Sequence, residues 1–194
     1  MTCIVGLEQD GIIYVGADSA GVDEYTLSIC SRADEKVFLS DDGSYIVGFS
    51  GSFRIGQLIR YAMSPPSQKV DQDDMSYIVT DFIDALRTMQ KDKGSMKKEN
   101  ELEEHSSSFI LGFNGKLYVI ESDFSVGRPL ENYASVGCGS SIAMGAMYAT
   151  QHAPYSPEDR IKCALSAAAA YNAGVRPPFH VLKLESPAGE VETE

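Results

Sequence analysis

Alternating apolar and polar positions predict several short β-strands in the first quarter of the chain. Residues 2–8 and 12–17 are β-type runs separated by Gln9-Asp10-Gly11, a sequence that favours a hairpin turn. Three further runs of the same kind follow at 24–30, 35–39 and 44–49. The pattern predicts that these consecutive strands pair as an antiparallel meander.

Helical periodicity begins after this strand-rich part. Apolar residues recur at three- and four-residue spacing in 52–63 and again in 75–90, which predicts two amphipathic helices. The stretch 91–108 is polar and dense in charge. We interpret it as a solvated loop or a frayed helix end and assign no chemistry to it.

The second half of the chain repeats the order of strands and then helices. Asn114-Gly115 lies between two apolar runs and predicts a hairpin, and a short strand follows at 133–136. The turn Gly137-Cys138-Gly139 leads into a helix rich in Ala and Met. Ser156-Pro157 predicts the start of another helix, with Ser as N-cap and Pro as first helical residue, and a last strand covers 179–184.

Grouped antiparallel strands and paired helices predict an α+β fold. The simplest packing is a four-layer αββα sandwich, in which two antiparallel sheets stack face to face with a helix pair on each outer side. We expect one domain over residues 1–184, because 194 residues suit a single core, and an acidic, disordered tail over 185–194.

Composition and charge exclude some classes of protein. The net charge of −12 argues against nucleic-acid binding, which needs clustered Lys and Arg. No apolar run is long enough to span a membrane, and the N-terminus has no secretory pattern, so we expect a cytoplasmic protein that functionally begins at residue 1 or 2. The four cysteines have no metal-ligand spacing and are expected to be reduced thiols.

Thr2 directly follows Met1. It is either an ordinary second residue or a nucleophile that becomes the N-terminal residue when Met1 is removed. A threonine hydroxyl is a poor nucleophile without a base within hydrogen-bond reach. If Met1 were removed, the α-amino group of Thr2, with a reference pKa of about 7.7–8, could serve as that base near neutral pH.

Three further residues could complete such a site. Asp18 ends the second predicted strand and Lys36 begins a later one, so a meander could bring their side chains together. Gly51, in the turn GFSGSF, could offer a backbone N–H to an oxyanion. Each residue alone has an ordinary structural interpretation; together they indicate a catalytic group.

The ordered combination of these segments resembles a known family. The segments TCIVGLEQDGIIYVGADSAG, DEKVF, YIVGFSGSF, VGCGSSIAMGAM and FHVLKL resemble the proteasome β-subunit and HslV peptidase family of N-terminal nucleophile hydrolases, over essentially the whole domain. The resemblance implies a threonine endopeptidase that acts on polypeptides, requires no cofactor and assembles into stacked rings, most simply hexamers. It also implies an ATP-dependent unfoldase as partner.

The resemblance also implies roles for individual residues. Thr2 would be the nucleophile, Lys36 the charge that lowers its pKa, and Asp18 the partner of that lysine. The remaining implied positions are Ser19 beside Asp18, Gly51 as oxyanion donor, Cys138 in place of the family's serine, Gly21 and Phe49 at the substrate, and the backbone carbonyls of Ala170, Ala173 and Arg176 at a monovalent cation.

The sequence departs from the family at the end of the last helix. The proteasome's second aspartate and neighbouring serine have no match in YNAGVRPPF, which favours the HslV-like branch. Two other functions stay open: a small-molecule amidase with the same nucleophile, and an inactive scaffold that forms rings. Removal of Met1 decides whether a threonine amine exists at all.

Overall fold

The computed structural model describes residues 1–23, 25–26, 28–99 and 102–185. Its strands are β1 (Ile4–Gln9), β2 (Ile12–Ala17), β3 (Ala20–Val22), β4 (Ile29–Ser31), β5 (Val37–Leu39), β6 (Tyr45–Gly51), β7 (Lys97–Glu99), β8 (Leu102–Glu104), β9 (Ser107–Phe113), β10 (Lys116–Ile120), β11 (Val126–Gly127), β12 (Tyr133–Val136) and β13 (His180–Glu185). Its α-helices are α1 (Phe53–Ala62), α2 (Asp74–Tyr77), α3 (Ile83–Asp92), α4 (Ser140–Ala149) and α5 (Pro157–Tyr171), and a π-helical segment, Ile78–Phe82, joins α2 to α3.

Two antiparallel sheets form the centre of the molecule. One has the strand order β12-β1-β2-β13, and the other has the order β11-β10-β9-β6-β5. The hairpins β1–β2 and β9–β10 turn at Asp10-Gly11 and Asn114-Gly115, and all four of these residues have positive φ. Both predicted hairpins are therefore confirmed, with the backbone that such dipeptides favour.

Three apolar clusters separate four layers. Buried side chains of both sheets, among them Ile4, Val15 and Ile110, pack together between the sheets. A second cluster joins the five-stranded sheet to α1, the π-helical segment and α3, and a third joins the four-stranded sheet to α4 and α5. The predicted αββα sandwich is confirmed.

Ser156 caps α5 as predicted, because its side chain accepts a hydrogen bond from the Asp159 N–H.

The predicted meander is wrong. β1–β2 and β5–β6 lie in different sheets, and β3–β4 forms a separate two-stranded ribbon between them. The run 24–30 is not one strand, since the Asp23 carboxylate accepts the N–H groups of Tyr25 and Thr26 and closes a turn there. Residues 24 and 27 lie outside the described residues.

The stretch 91–108 is not a simple solvated loop. Its backbone forms the ribbon β7–β8, and His105, which follows the ribbon, is buried with its ring against Phe109 and Phe124.

At the other end of the chain, Glu185 is still part of β13, paired with Ile12. Residues 186–194 lie outside the described residues, so the disordered tail stays a prediction. Among the described residues, no helix combines the length and apolar character needed to cross a membrane.

Candidate active site

The side chains of Thr2, Asp18 and Lys36 meet in the interior of the protein. Lys36 Nζ lies 3.0 Å from Thr2 Oγ1 and 2.8 Å from Asp18 Oδ1. Each of the three residues is at most 2% exposed. The convergence predicted from the ends of two strands is therefore present, although these strands lie in different sheets.

Backbone groups from three segments hold the Asp18 carboxylate. Its Oδ1 accepts the Cys3 N–H at 3.0 Å, and its Oδ2 accepts the N–H groups of Ala20 at 2.9 Å and Arg176 at 3.2 Å. Lys36 precedes β5, and its carbonyl accepts the Phe49 N–H at 2.9 Å. Asp18 is thus held by backbone N–H groups just before β1, in β3 and in the loop before β13, and Lys36 is held by the β6 strand of the five-stranded sheet.

Burial shifts the acid–base properties of this group. Desolvation lowers the pKa of Lys36, and the adjacent Asp18 carboxylate opposes that shift. Cys3, next to Thr2 in sequence, packs into the core toward α4 and α5, and burial raises its pKa to about 12. A thiol with so high a pKa is not a nucleophile at neutral pH, so Cys3 has a packing role.

With Met1 attached, the nitrogen of Thr2 is a peptide amide. It donates to Cys138 Sγ at 3.2 Å, while the Thr2 hydroxyl donates to the carbonyl oxygen of Met1. Cys138 in turn contacts Asn172, whose Oδ1 lies 3.3 Å from Sγ and whose Nδ2 donates to the Cys138 carbonyl at 2.8 Å. Cys138 therefore lies beside the nitrogen that would become the free amine.

Glycines bring the backbone close to Thr2. Gly137 has a φ of +99°, and a Cβ atom there would lie 2.3 Å from the Thr2 carbonyl oxygen and 2.8 Å from Ser50 Oγ. Thr2 and Ser50 thus meet at Gly137, which places the predicted oxyanion donor Gly51 next to this junction. Gly51 has a φ of +101°, a conformation that favours glycine.

Ser19 is near the group without touching Thr2. Its hydroxyl donates to the Pro178 carbonyl at 2.6 Å, and its N–H donates to the Arg176 carbonyl at 2.9 Å. The structure thus gives Ser19 a structural position, tying the end of β2 to the last loop.

Phe49 does not line the site. Its ring packs in the helix-facing core against Gly56 and meets Phe53 edge to face. Phe53, two residues after Gly51, is half-buried, and its ring centre lies 5.7 Å from Lys36 Nζ and 4.1 Å from the Arg32 guanidinium. Phe49 therefore faces the helices, and the aromatic ring beside Lys36 is that of Phe53, the first residue of α1.

Gly21, which was predicted to lie at the substrate, pairs within the β3–β4 ribbon. The backbone N–H of Arg32 donates to the Ser19 carbonyl, and the backbone N–H of Asp23 donates to the Ser28 carbonyl. Because hydrogen-bonded pairs alternate along an antiparallel ribbon, Gly21 also pairs with β4. Val22 then turns its backbone groups to the other edge of β3, which pairs with no further strand among the described residues. The backbone groups of Val22, unlike those of Gly21, therefore face away from β4.

The Arg176 guanidinium lies close in sequence to the three carbonyls expected at a monovalent cation. The Arg176 guanidinium already donates to the carbonyls of Ala169 and Val175, the residues directly before Ala170 and Arg176. The Arg176 carbonyl itself accepts the Ser19 N–H. The cation at Ala170, Ala173 and Arg176 stays a prediction, and the guanidinium beside Ala169 and Val175 carries a positive charge that it cannot lose.

Sequence reasoning missed four residues of this site: Phe53, Gly137, Asn172 and the Arg176 N–H. Only Gly137 had a usable signal, since it lies in the Gly-Cys-Gly turn. The other three are brought in by contacts between residues more than 15 positions apart in the chain.

No family model and no curated protein matches the sequence. Solved structures do match. Thiobacillus denitrificans BPH in complex with epoxomicin aligns with a TM-score of 0.77 at 18% identity, covering 96% of this chain and 100% of that one. Eukaryotic HslV from Trypanosoma brucei aligns with a TM-score of 0.67 at 16% identity, covering 95% and 99%. Anbu (ancestral β-subunit) from Yersinia bercovieri aligns with a TM-score of 0.64 at 13% identity, covering 95% and 82%.

These structures match nearly the whole chain at low sequence identity, so the likeness concerns the fold. It agrees with the four-layer sandwich and with the resemblance drawn from the sequence. The chain therefore has the fold of the BPH, HslV and Anbu structures.

Proposed function

We propose that this protein is a threonine-type endopeptidase that forms an acyl-enzyme on Thr2 once Met1 is removed. The observation that carries the proposal is the contact of Lys36 Nζ with both Thr2 Oγ1 and Asp18 Oδ1, with all three residues buried. A buried ammonium ion beside a hydroxyl stabilises the alkoxide and so favours nucleophilic attack.

The reaction needs a proton acceptor and an oxyanion donor. The freed Thr2 amine takes the proton of Oγ1 as that oxygen attacks the peptide carbonyl, and we assign the Gly51 N–H as the donor to the developing oxyanion. The tetrahedral intermediate collapses, the amine proton passes to the leaving nitrogen, and an ester on Thr2 remains. Water activated by the same amine hydrolyses the ester and restores the hydroxyl.

An extended peptide suits this site better than a small amide. The free edge of β3 at Val22 lies within four residues of Asp18, and such edges bind peptides by adding a strand. A small-molecule amidase does not need that edge. The peptide substrate is therefore the favoured proposal, and the amidase is the alternative to be tested.

The test combines intact-mass measurement with epoxomicin, the ligand named in the BPH structure. The protein is expressed in cells that contain methionine aminopeptidase and is then assayed on fluorogenic peptides. Loss of Met1, labelling at Thr2 and peptide turnover support the proposal, with Thr2→Ala as the unlabelled control. Labelling without peptide turnover favours the amidase. Quantitative retention of Met1 refutes catalysis by Thr2 and leaves the inactive ring-forming scaffold as the remaining alternative.

We further propose a cytoplasmic homo-oligomer of stacked hexameric rings that receives polypeptide from an ATP-dependent unfoldase. Exposed tyrosines on and beside the α4–α5 layer, Tyr148, Tyr155 and Tyr171, offer apolar surface for contact between subunits. Twelve copies of the 21.1 kDa chain would have a mass of about 253 kDa by native mass spectrometry. A monomer at micromolar concentration would refute the ring.

A further inference from the structure

Arg176 links the end of the last helix to the candidate catalytic acid. Its guanidinium Nη1 donates to the Ala169 carbonyl at 3.4 Å and to the Val175 carbonyl at 3.1 Å. Its backbone N–H donates to Asp18 Oδ2 at 3.2 Å, and its carbonyl accepts the Ser19 N–H at 2.9 Å. One residue thus joins the end of α5, the last loop and the end of β2.

The carbonyls at this place attract positive charge. The last four carbonyls of an α-helix have no partner within the helix, and they carry the negative end of the helix dipole. Ala169 and Ala170 belong to the last turn of α5, which ends at Tyr171. All residues of α5 are described, and none in its last turn is basic. The positive charge comes instead from Arg176, five residues beyond the helix.

We propose that the Arg176 guanidinium, at the carbonyls of Ala169 and Val175, supplies the positive charge that a monovalent cation would bring to the end of α5, and that it positions Asp18 from there. A metal ion at these carbonyls dissociates and depends on the salt present, whereas the guanidinium is part of the chain. By fixing the loop whose N–H binds Asp18 Oδ2, Arg176 keeps the other oxygen of Asp18 directed at Lys36. The proposal concerns folding and holds whether or not Thr2 is active.

The experiment measures thermal unfolding of the full chain in sodium chloride, potassium chloride and choline chloride at equal ionic strength. The wild-type protein should have the same Tm in all three salts. Arg176→Gln should lower Tm by about 2–4 °C, the shift that losing one interaction of about 1 kcal/mol produces in a chain of this size. It should also acquire a Tm that rises with the concentration of sodium or potassium, but not choline, because a cation can now bind the exposed carbonyls.

Two further variants complete the design. Arg176→Lys keeps a positive charge, and its Tm should remain insensitive to the choice of cation. This variant also provides a test if Arg176→Gln does not fold. Arg128→Gln removes an arginine that pairs with Glu8 on another face, and it should respond to the three salts alike.

Three results would overturn the proposal. The first is a wild-type protein stabilised by sodium or potassium over choline. The second is an Arg176→Gln variant that matches the wild type in Tm and in cation response. The third is an Arg176→Gln variant that loses stability but unfolds at the same temperature in all three salts, because then no cation replaces the guanidinium.

Discussion

At the scale of single residues, Lys36 and Asp18 are distinguished by where they lie. Both are about 1% exposed, and most ion pairs described in this protein are on the surface. Burying two charges costs solvation energy that their attraction recovers only in part, so a buried pair is weak evidence for a stabilising role. Buried charges next to a hydroxyl are more typical of a functional site.

We expect Lys36→Ala to reduce kcat/KM for peptides by about a thousandfold, because the Thr2 alkoxide loses its stabilising charge. The variant should also lose about 3–5 kcal/mol of unfolding free energy, since Asp18 remains buried without its partner. Adding Asp18→Asn should recover part of that stability and none of the activity. Peptide hydrolysis and urea denaturation measure the two effects.

The surface variant Lys183→Ala is the control for Lys36, since Lys183 pairs with Glu185 in an exposed position. It should match the wild type in both assays. A Lys36→Ala enzyme within tenfold of wild-type kcat/KM would contradict the role assigned to the lysine.

Cys138 gives a second prediction at this scale. A serine at this position accepts a hydrogen bond from the Thr2 nitrogen and donates one to Asn172 at least as well as the thiol, so Cys138→Ser should keep full activity. Cys138→Ala loses both contacts and should lower kcat/KM about tenfold, the value of one ordinary hydrogen bond. Cys163→Ala, on α5, is the matched control, and equal activity of Cys138→Ala and wild type would refute the contact's role.

At the scale of elements, the junction between β12 and α4 sets the position of the N-terminal strand. Gly137 lies at this junction with positive φ and in contact with the Thr2 carbonyl. Any side chain there is strained by its backbone and collides with Thr2.

Gly137→Ala is therefore expected to lower the unfolding free energy by about 1–3 kcal/mol and to abolish epoxomicin labelling, because Thr2 moves away from Lys36. Gly127→Ala is the control, since a Cβ atom on Gly127 meets nothing within 4 Å. Denaturant unfolding and labelling stoichiometry are the measurements. Normal labelling of Gly137→Ala would show that the strand tolerates the displacement.

Turns and helix caps, which depend on local chemistry, were predictable from the sequence. Which strands pair within the same sheet was not predictable. The Asp10-Gly11 and Asn114-Gly115 turns and the Ser156 cap follow from residues adjacent in the chain. The assignment of β5–β6 to a second sheet depends on long-range packing, which periodicity does not encode. Phe53 was missed for the same reason, because its ring reaches Lys36 through a contact between α1 and the residue before β5.

At the scale of the whole molecule, His105 couples folding stability to pH. It is 2% exposed, and its ring centre lies 5.0 Å from that of Phe109 and 4.6 Å from that of Phe124. Burial lowers the pKa of His105 to about 4, against about 6.5 for an exposed histidine. The folded protein therefore keeps this ring neutral at a pH where the unfolded chain is protonated.

The sign of the effect follows from proton binding. Between pH 6.5 and about 4 the unfolded state binds the extra proton at His105, so the unfolding free energy falls as pH falls, by up to ~3 kcal/mol over this window, and is unaffected above it. His105→Phe keeps an aromatic ring and should lose this part of the pH dependence, while His152→Phe, at an exposed position, should keep it. Urea denaturation at pH 7 and pH 4.5 gives the change in unfolding free energy for each protein. All three proteins have the same carboxylates, so comparing these changes isolates the contribution of His105. If the unfolding free energies of wild type and His105→Phe changed equally between the two pH values, the His105 ring would already take up a proton in the folded state.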